Sequence, residues 1–181
     1  MKRPLAGLAL LALVLGVATS PAAGAAPQRY TFAFEESDTI DCSTFNPAWT
    51  FNDDFVDFFN VRGQVWLDAA GQPIRAIDHI VHRSNDVNSV TGFTLHEHNH
   101  FVARYDFVRG TVTLNGAINI MQRPGAGSVI LNAGHKVFDL DTGTPRVLAG
   151  PNRAGDEDFC RAVAPLRPRH PRVVAHRGGR R

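Results

Sequence analysis

The segment His96-Glu97-His98-Asn99-His100, with His79 and His82 upstream, holds the densest set of chemistry-bearing side chains in the chain. Neutral imidazoles ligate zinc and copper. Alternate residues of a β-strand face one side, so His96, His98 and His100 would form a ladder with steps of about 7 Å. A hairpin register pairing Val81 with His96 sets His79 opposite His98, and a slip of one residue brings in His82 and Asp78 instead. His79, His96, His98 and His100 are therefore a candidate zinc or copper site, against the plainer reading of solvated histidines with no cofactor. Glu97 and Asn99 take the opposite parity, which they share with Phe93, Leu95, Phe101, Ala103, Tyr105 and Phe107. That parity points them inward among aromatics. A buried carboxylate must be paired or protonated, which raises its pKa and suits it to general acid chemistry. Arg75, Arg83 or His79 on the neighbouring strand are its candidate partners, and a satisfied internal hydrogen-bond network is the alternative. Glu97, His79 and Arg75 thus form the candidate catalytic set, while Glu97, Asn99, Phe101 and Tyr105 would line an interior ligand site.

Asp53, Asp54 and Asp57 interleave with Phe51, Phe55, Phe58 and Phe59. This could make a barrel-mouth lid or an acidic cation site, or simply a solvated face over an aromatic anchor, and its spacing is not that of an EF-hand loop. The sequence has no G-x-S-x-G elbow, P-loop, dinucleotide fingerprint or H-E-x-x-H pair.

The elements that must position these residues read as strands. Convincing 3.6-residue periodicity is almost absent between residues 26 and 160, whereas β-branched and aromatic runs recur between turn signals. Tyr30, Phe32 and Phe34 alternate within residues 28 to 35. Further runs cover 61–68, 74–83, 93–107, 111–120, 128–132, 136–140 and 146–149, with a hairpin signal at Asp141-Thr-Gly143. Residues 45 to 60 are less regular, either a strand with a loop or a short helical turn. About eight strands joined by short connections, with no crossover helices, predict a small antiparallel up-and-down β-barrel. Closure would also remove exposed edges, suiting a monomer.

Lys2-Arg3, the apolar stretch from Leu5 to Ala18 and the small residues up to Ala26 have the layout of a secretory signal peptide, cleaved after Ala25. The apolar run is shorter than the roughly 20 residues of a spanning helix, so the expectation is a secreted domain with no membrane span. Cys42 and Cys160, the only two cysteines, bracket nearly the whole domain. In an oxidising compartment their pairing is the sole intramolecular option; two free thiols are the alternative. From Arg161 onward three Pro and seven Arg, with no acidic residue, predict a disordered tail over 161–181. The formal charge of +2 hides this segregation, because residues 26–160 hold ten basic and all seventeen acidic residues, a net of −7. An acidic body without a tandem basic and aromatic surface argues against nucleic acid as a partner.

Asp68-Ala-Ala-Gly-Gln-Pro73, Thr91-Gly92, Arg109-Gly-Thr-Val-Thr-Leu-Asn-Gly116, Pro124-Gly-Ala-Gly127, Asn132-Ala-Gly-His-Lys-Val-Phe-Asp139 and Asp141-Thr-Gly143 mark the body. Over residues 42 to 160 the chain resembles a group of small secreted actinobacterial β-barrel proteins, most specifically in the N-A-G-x-x-V-F-D-x-x-T-G stretch. The resemblance implies a compact barrel with one cysteine early and one after the last strand, and no assigned activity or catalytic residues. The His-rich fourth strand and the Arg tail depart from that pattern. The leading expectation is a secreted, non-catalytic barrel that holds a small, largely apolar molecule or is filled by its own aromatics. The rival expectations are a cyclase or isomerase of the small-barrel kind using Glu97, and a metal-binding exported protein using the histidine ladder.

Overall fold

The computed structural model describes residues 26–165. The predicted signal peptide over 1–25 and the tail beyond residue 165 lie outside them. Eight antiparallel strands follow one another as β1 (Gln28–Asp41), β2 (Asn52–Leu67), β3 (Pro73–Asn88), β4 (Thr94–Asp106), β5 (Thr111–Arg123), β6 (Gly127–Asp139), β7 (Pro145–Ala149) and β8 (Asn152–Arg153). A short 3-10 turn (Cys42–Thr44) follows β1, and among the described residues one α-helix, α1 (Asp156–Val163), completes the order. The sheet runs from β1 to β7 in sequence order, with β8 added to β6.

Hairpin turns are set by local chemistry. Asp68, Asn88 and Asp139 each accept two backbone N–H bonds from the turn they open, and Asp106 accepts one. These side chains mimic a turn of backbone. Hydrogen bonds from the Arg146 guanidinium and Thr142 hold the Asp139 carboxyl down at about 2.

Two strand assignments differ from the sequence reading. Residues 52–67 form one continuous strand, so Asp53, Asp54 and Asp57 sit within β2 rather than on a lid. Residues 127–139 likewise form one strand, because irregularities in the β5–β6 pairing let it pass through Asn132-Ala-Gly-His135 without ending. The barrel is also not closed: β1 pairs only with β2, and no pairing joins it to β7 among the described residues. Five-residue β7 and two-residue β8 are too short to match the 14 residues of β1.

The predicted boundary at Arg161 falls inside α1, which runs to Val163 and packs against β2, β3, β4 and β6. Asp156, Glu157 and Asp158 occupy its first turn, where carboxylates suit the positive end of a helix dipole. Its Phe159, Cys160, Ala162 and Val163 join Cys42, Phe51, Leu95, Met121 and Ile130 in one buried cluster. Buried Arg123 lies over the Phe93 ring and donates to the carbonyls of Ala162 and Ala164 at 2.7 and 2.6 Å. The Asn88 amide donates to the Val163 carbonyl. Cys42 and Cys160 form a disulfide with Cα atoms 5.5 Å apart. The helix and its cross-link thus fill one end of the inner face.

A second apolar cluster, including Val61, Ile80, Phe101, Tyr105 and Leu114, fills the other end. There Gly63 lies beneath a hydrogen bond from the Tyr30 hydroxyl to Asp78. A Cβ on Gly63 would clash with Asp78 Oδ1 and the Tyr30 ring. Gly63→Ala is therefore expected to cost roughly 2–3 kcal/mol by displacing β1 from Asp78. Urea unfolding checks this, and a change under about 0.5 kcal/mol would show that the ring moves aside freely.

Candidate functional site in the buried polar belt

Between the two apolar clusters the inner face is polar. Hydrophobic parity on β4 places Leu95, Glu97, Asn99, Phe101, Ala103 and Tyr105 inward, all buried, as the alternation predicts. On β3 the inward row is Ala76, Asp78, Ile80, His82, Ser84, Asp86 and Asn88, also buried. The register sets Asp57 opposite Ser84 and Ser84 opposite Glu97, and in the next row Phe59 opposite His82 and His82 opposite Asn99.

His82 is the centre of this belt. Its Nε2 lies 3.2 Å from Asp57 Oδ1 and its Nδ1 lies 3.1 Å from Glu97 Oε1. Phe59 stacks on the imidazole at 4.5 Å between centroids with planes 11° apart. The ring is thus fixed in orientation between two carboxylates. Glu97 also accepts from the Asn119 amide at 3.1 Å, and Asn99 accepts from the Ile120 backbone N–H at 2.8 Å. Glu97 Oε2 is buried without a hydrogen-bond partner. Burial pushes the Glu97 carboxyl up to about 7, against the opposing pull of His82 and the Asn119 bond. Ser84 donates to Asp86 at 2.8 Å, which extends the belt toward α1.

The partner expected for Glu97 is corrected. Arg75, Arg83 and His79 all lie on the opposite face of β3 from Glu97, exposed to solvent. Arg75 instead covers the Trp66 ring at 4.0 Å. The odd spacing between His79 and His82 decides the matter, since parity alternates along the strand. Phe101 and Tyr105, expected to line a ligand site, are packed within the second apolar cluster, and burial pushes the Tyr105 phenol up.

The histidine ladder forms on the outer face. His96, His98 and His100 are exposed, opposite Asn85, Arg83 and Val81. His98 therefore faces a guanidinium, not His79. The His79 ring stacks beside His100 at 6.4 Å, and His96 Nδ1 lies 2.6 Å from Asn85 Oδ1. Among the described residues no group of three or more His, Cys, Asp or Glu is arranged to hold a metal ion.

The alternation of Tyr30, Phe32 and Phe34 was read from the sequence, but its connection through Phe59 to His82 was not. Tyr30, Phe32 and Phe34 of β1 stack at 6.0 Å intervals, Phe34 stacks on Phe59 at 4.6 Å, and Phe59 stacks on His82. Because β1 is an edge strand, Phe32 remains 39% exposed. Searches with this chain against protein-family models, curated proteins and solved structures return no match.

Proposed function

We propose that the protein is an exported, non-catalytic binding protein for a small, largely apolar molecule that carries one hydrogen-bonding group. The observation that carries this is the unbroken row of rings from exposed Phe32 through Phe34 and Phe59 to His82. Aromatic faces offer apolar area with preferred stacking geometry, and a few convergent polar groups fix orientation, the usual build of a small-molecule site. Glu97 and His82 supply that polar end. The disulfide and the signal-like N-terminal sequence support export.

Titration with the fluorescent probe N-phenyl-1-naphthylamine tests the reading. Saturable binding is expected, weakened about tenfold by Phe32→Ala, a loss of roughly 1.4 kcal/mol of contact. Phe32→Ala leaves the Phe34–Phe59 stack in place, so its melting temperature should match that of the wild type. Absence of saturable binding, or equal affinity in the variant, would reject the reading. Native mass spectrometry of protein taken from its secretion medium would then identify the natural ligand by mass.

A second reading, proton transfer of the cyclase or isomerase kind, draws on one observation. Glu97 is an acid with an unpartnered buried oxygen and a pKa near the neutral range, at about 7. Deuterium from solvent would then enter a C–H position of the recovered ligand, and Glu97→Gln would stop it. A ligand that gains no deuterium leaves binding alone.

A further inference from the structure

Within β2, β3 and β4 the buried acids and the exposed arginines take opposite faces, whereas β5 and β6 bury the cations Arg123 and Lys136. Asp57, Asp78, Asp86 and Glu97 point inward and are buried, whereas Arg62, Arg83 and Arg104 of β2, β3 and β4 point outward and are exposed. No carboxylate lies within ion-pair distance of these three guanidiniums among the described residues. The register sets Arg62 opposite His79, Arg83 between Phe58 and His98, and Arg104 opposite Ile77. With strands about 4.8 Å apart and same-face residues about 7 Å apart, the three charges span roughly 20 Å. The acidic groups of this face stand at its margins: Glu35 on β1 beside Phe58, Asp54 at one end and Asp106 at the other. A groove of about 530 Å³ is walled by Phe58, Asn60, Arg83, Asn85 and His96 of this face, with the inward-pointing Ser84 and Glu97 also lining it.

We propose that this outer face of β2, β3 and β4 is a docking surface for an acidic polysaccharide, whose carboxylates pair with Arg62, Arg83 and Arg104. Guanidinium forks match carboxylate geometry. Asn60, His98 and His100 stand among the three arginines and Asn85 lies next to Arg83, and these amides and imidazoles match the hydroxyls of a sugar chain. The half-buried Phe58 ring at the groove provides an apolar surface for a sugar ring. A nucleic acid fits less well, because its charge is denser against a body of net −7 and the Trp66 ring is covered by Arg75. A lipid surface also fits less well, because the apolar side chains interleaved here, such as Val81 and Val102, are half-buried rather than projecting.

Isothermal titration of the full chain with polygalacturonate tests the proposal. Saturable binding that weakens with added salt is expected. Arg62→Gln, Arg83→Gln and Arg104→Gln should each weaken it roughly threefold, the scale of one exposed ion pair. The triple variant should lose measurable binding, and Arg153→Gln on β8 should not change it. The replaced side chains are exposed, so circular dichroism should show the triple variant folded like the wild type. Unchanged affinity in the triple variant, equal binding of uncharged dextran, or no binding would overturn the proposal. Preference for single-stranded DNA or for phosphatidylglycerol vesicles would overturn it in favour of those partners.

Discussion

Glu97→Gln is expected to remove most of the loss of stability that the wild-type protein suffers between mildly acidic and neutral pH. The carboxyl stands at about 7 in the folded protein against an ordinary value of 4.5, because burial disfavours its charged form. The folded state therefore binds more protons than the unfolded chain between these values. Stability tied to Glu97 is full below about 4.5, falls as pH rises through about 7, and is then lost, to the extent of about 3 kcal/mol. Glutamine keeps an oxygen for the Asn119 and His82 contacts and cannot ionise. Melting temperatures recorded from pH 4 to pH 8 should thus fall more steeply for the wild type than for the variant. Burial also raises Asp78, so a shallower slope of the same sign should remain in both proteins. Parallel curves would show that Glu97 does not carry the effect.

Reduction of the Cys42–Cys160 disulfide, or Cys42→Ser with Cys160→Ser, is expected to be the most destabilising change. The two residues are 118 positions apart, so the bridge constrains nearly the whole unfolded chain. A loop of that length corresponds to about 4–5 kcal/mol in the chain-entropy account. Loss of the bridge also frees α1 from Cys42, leaving Arg123 and Asn88 to hold the carbonyls of Ala162, Val163 and Ala164. Urea unfolding with and without reductant measures the difference. A loss below about 1 kcal/mol would mean that Arg123 and the buried face of α1 suffice to dock the helix.

The inward position of Glu97 and Asn99 was legible because they share the parity of the apolar Leu95, Phe101, Ala103 and Tyr105 on β4. The outward position of His96, His98 and His100 comes from the same alternation. The partner of Glu97 was not legible, for two physical reasons. The β3 inward row is itself polar below Ile80, while Ile77, Val81 and Val87 lie on the outer face, so hydrophobic parity does not choose a side. The β3–β4 register also depends on a turn that Asn88 opens with its own side chain, five residues beyond the end of the run read over 74–83. The disulfide was legible from cysteine number and spacing. Helix α1 carried a signal, three acidic residues before Phe159, but Cys160 looked like the end of the body because Arg and Pro dominate residues 161–181. The open sheet was not foreseen, since strand count does not report whether the last strands are long enough to meet the first.

The sorting of charge by strand parity has a consequence for how the chain finds its fold. A one-residue slip of β3 or β4 exchanges every inward side chain with an outward one. A slip of β3 would turn Arg83 inward, and a slip of β4 would turn Arg104 inward, each taking a guanidinium out of water at a cost of several kcal/mol. The β3 slip would carry Asp78 and Asp86 to the outer face, and the β4 slip would carry Glu97 there. The alternation of sign thus acts as a proofreading code for strand alignment, penalising mispaired hairpins before the disulfide can lock them in place.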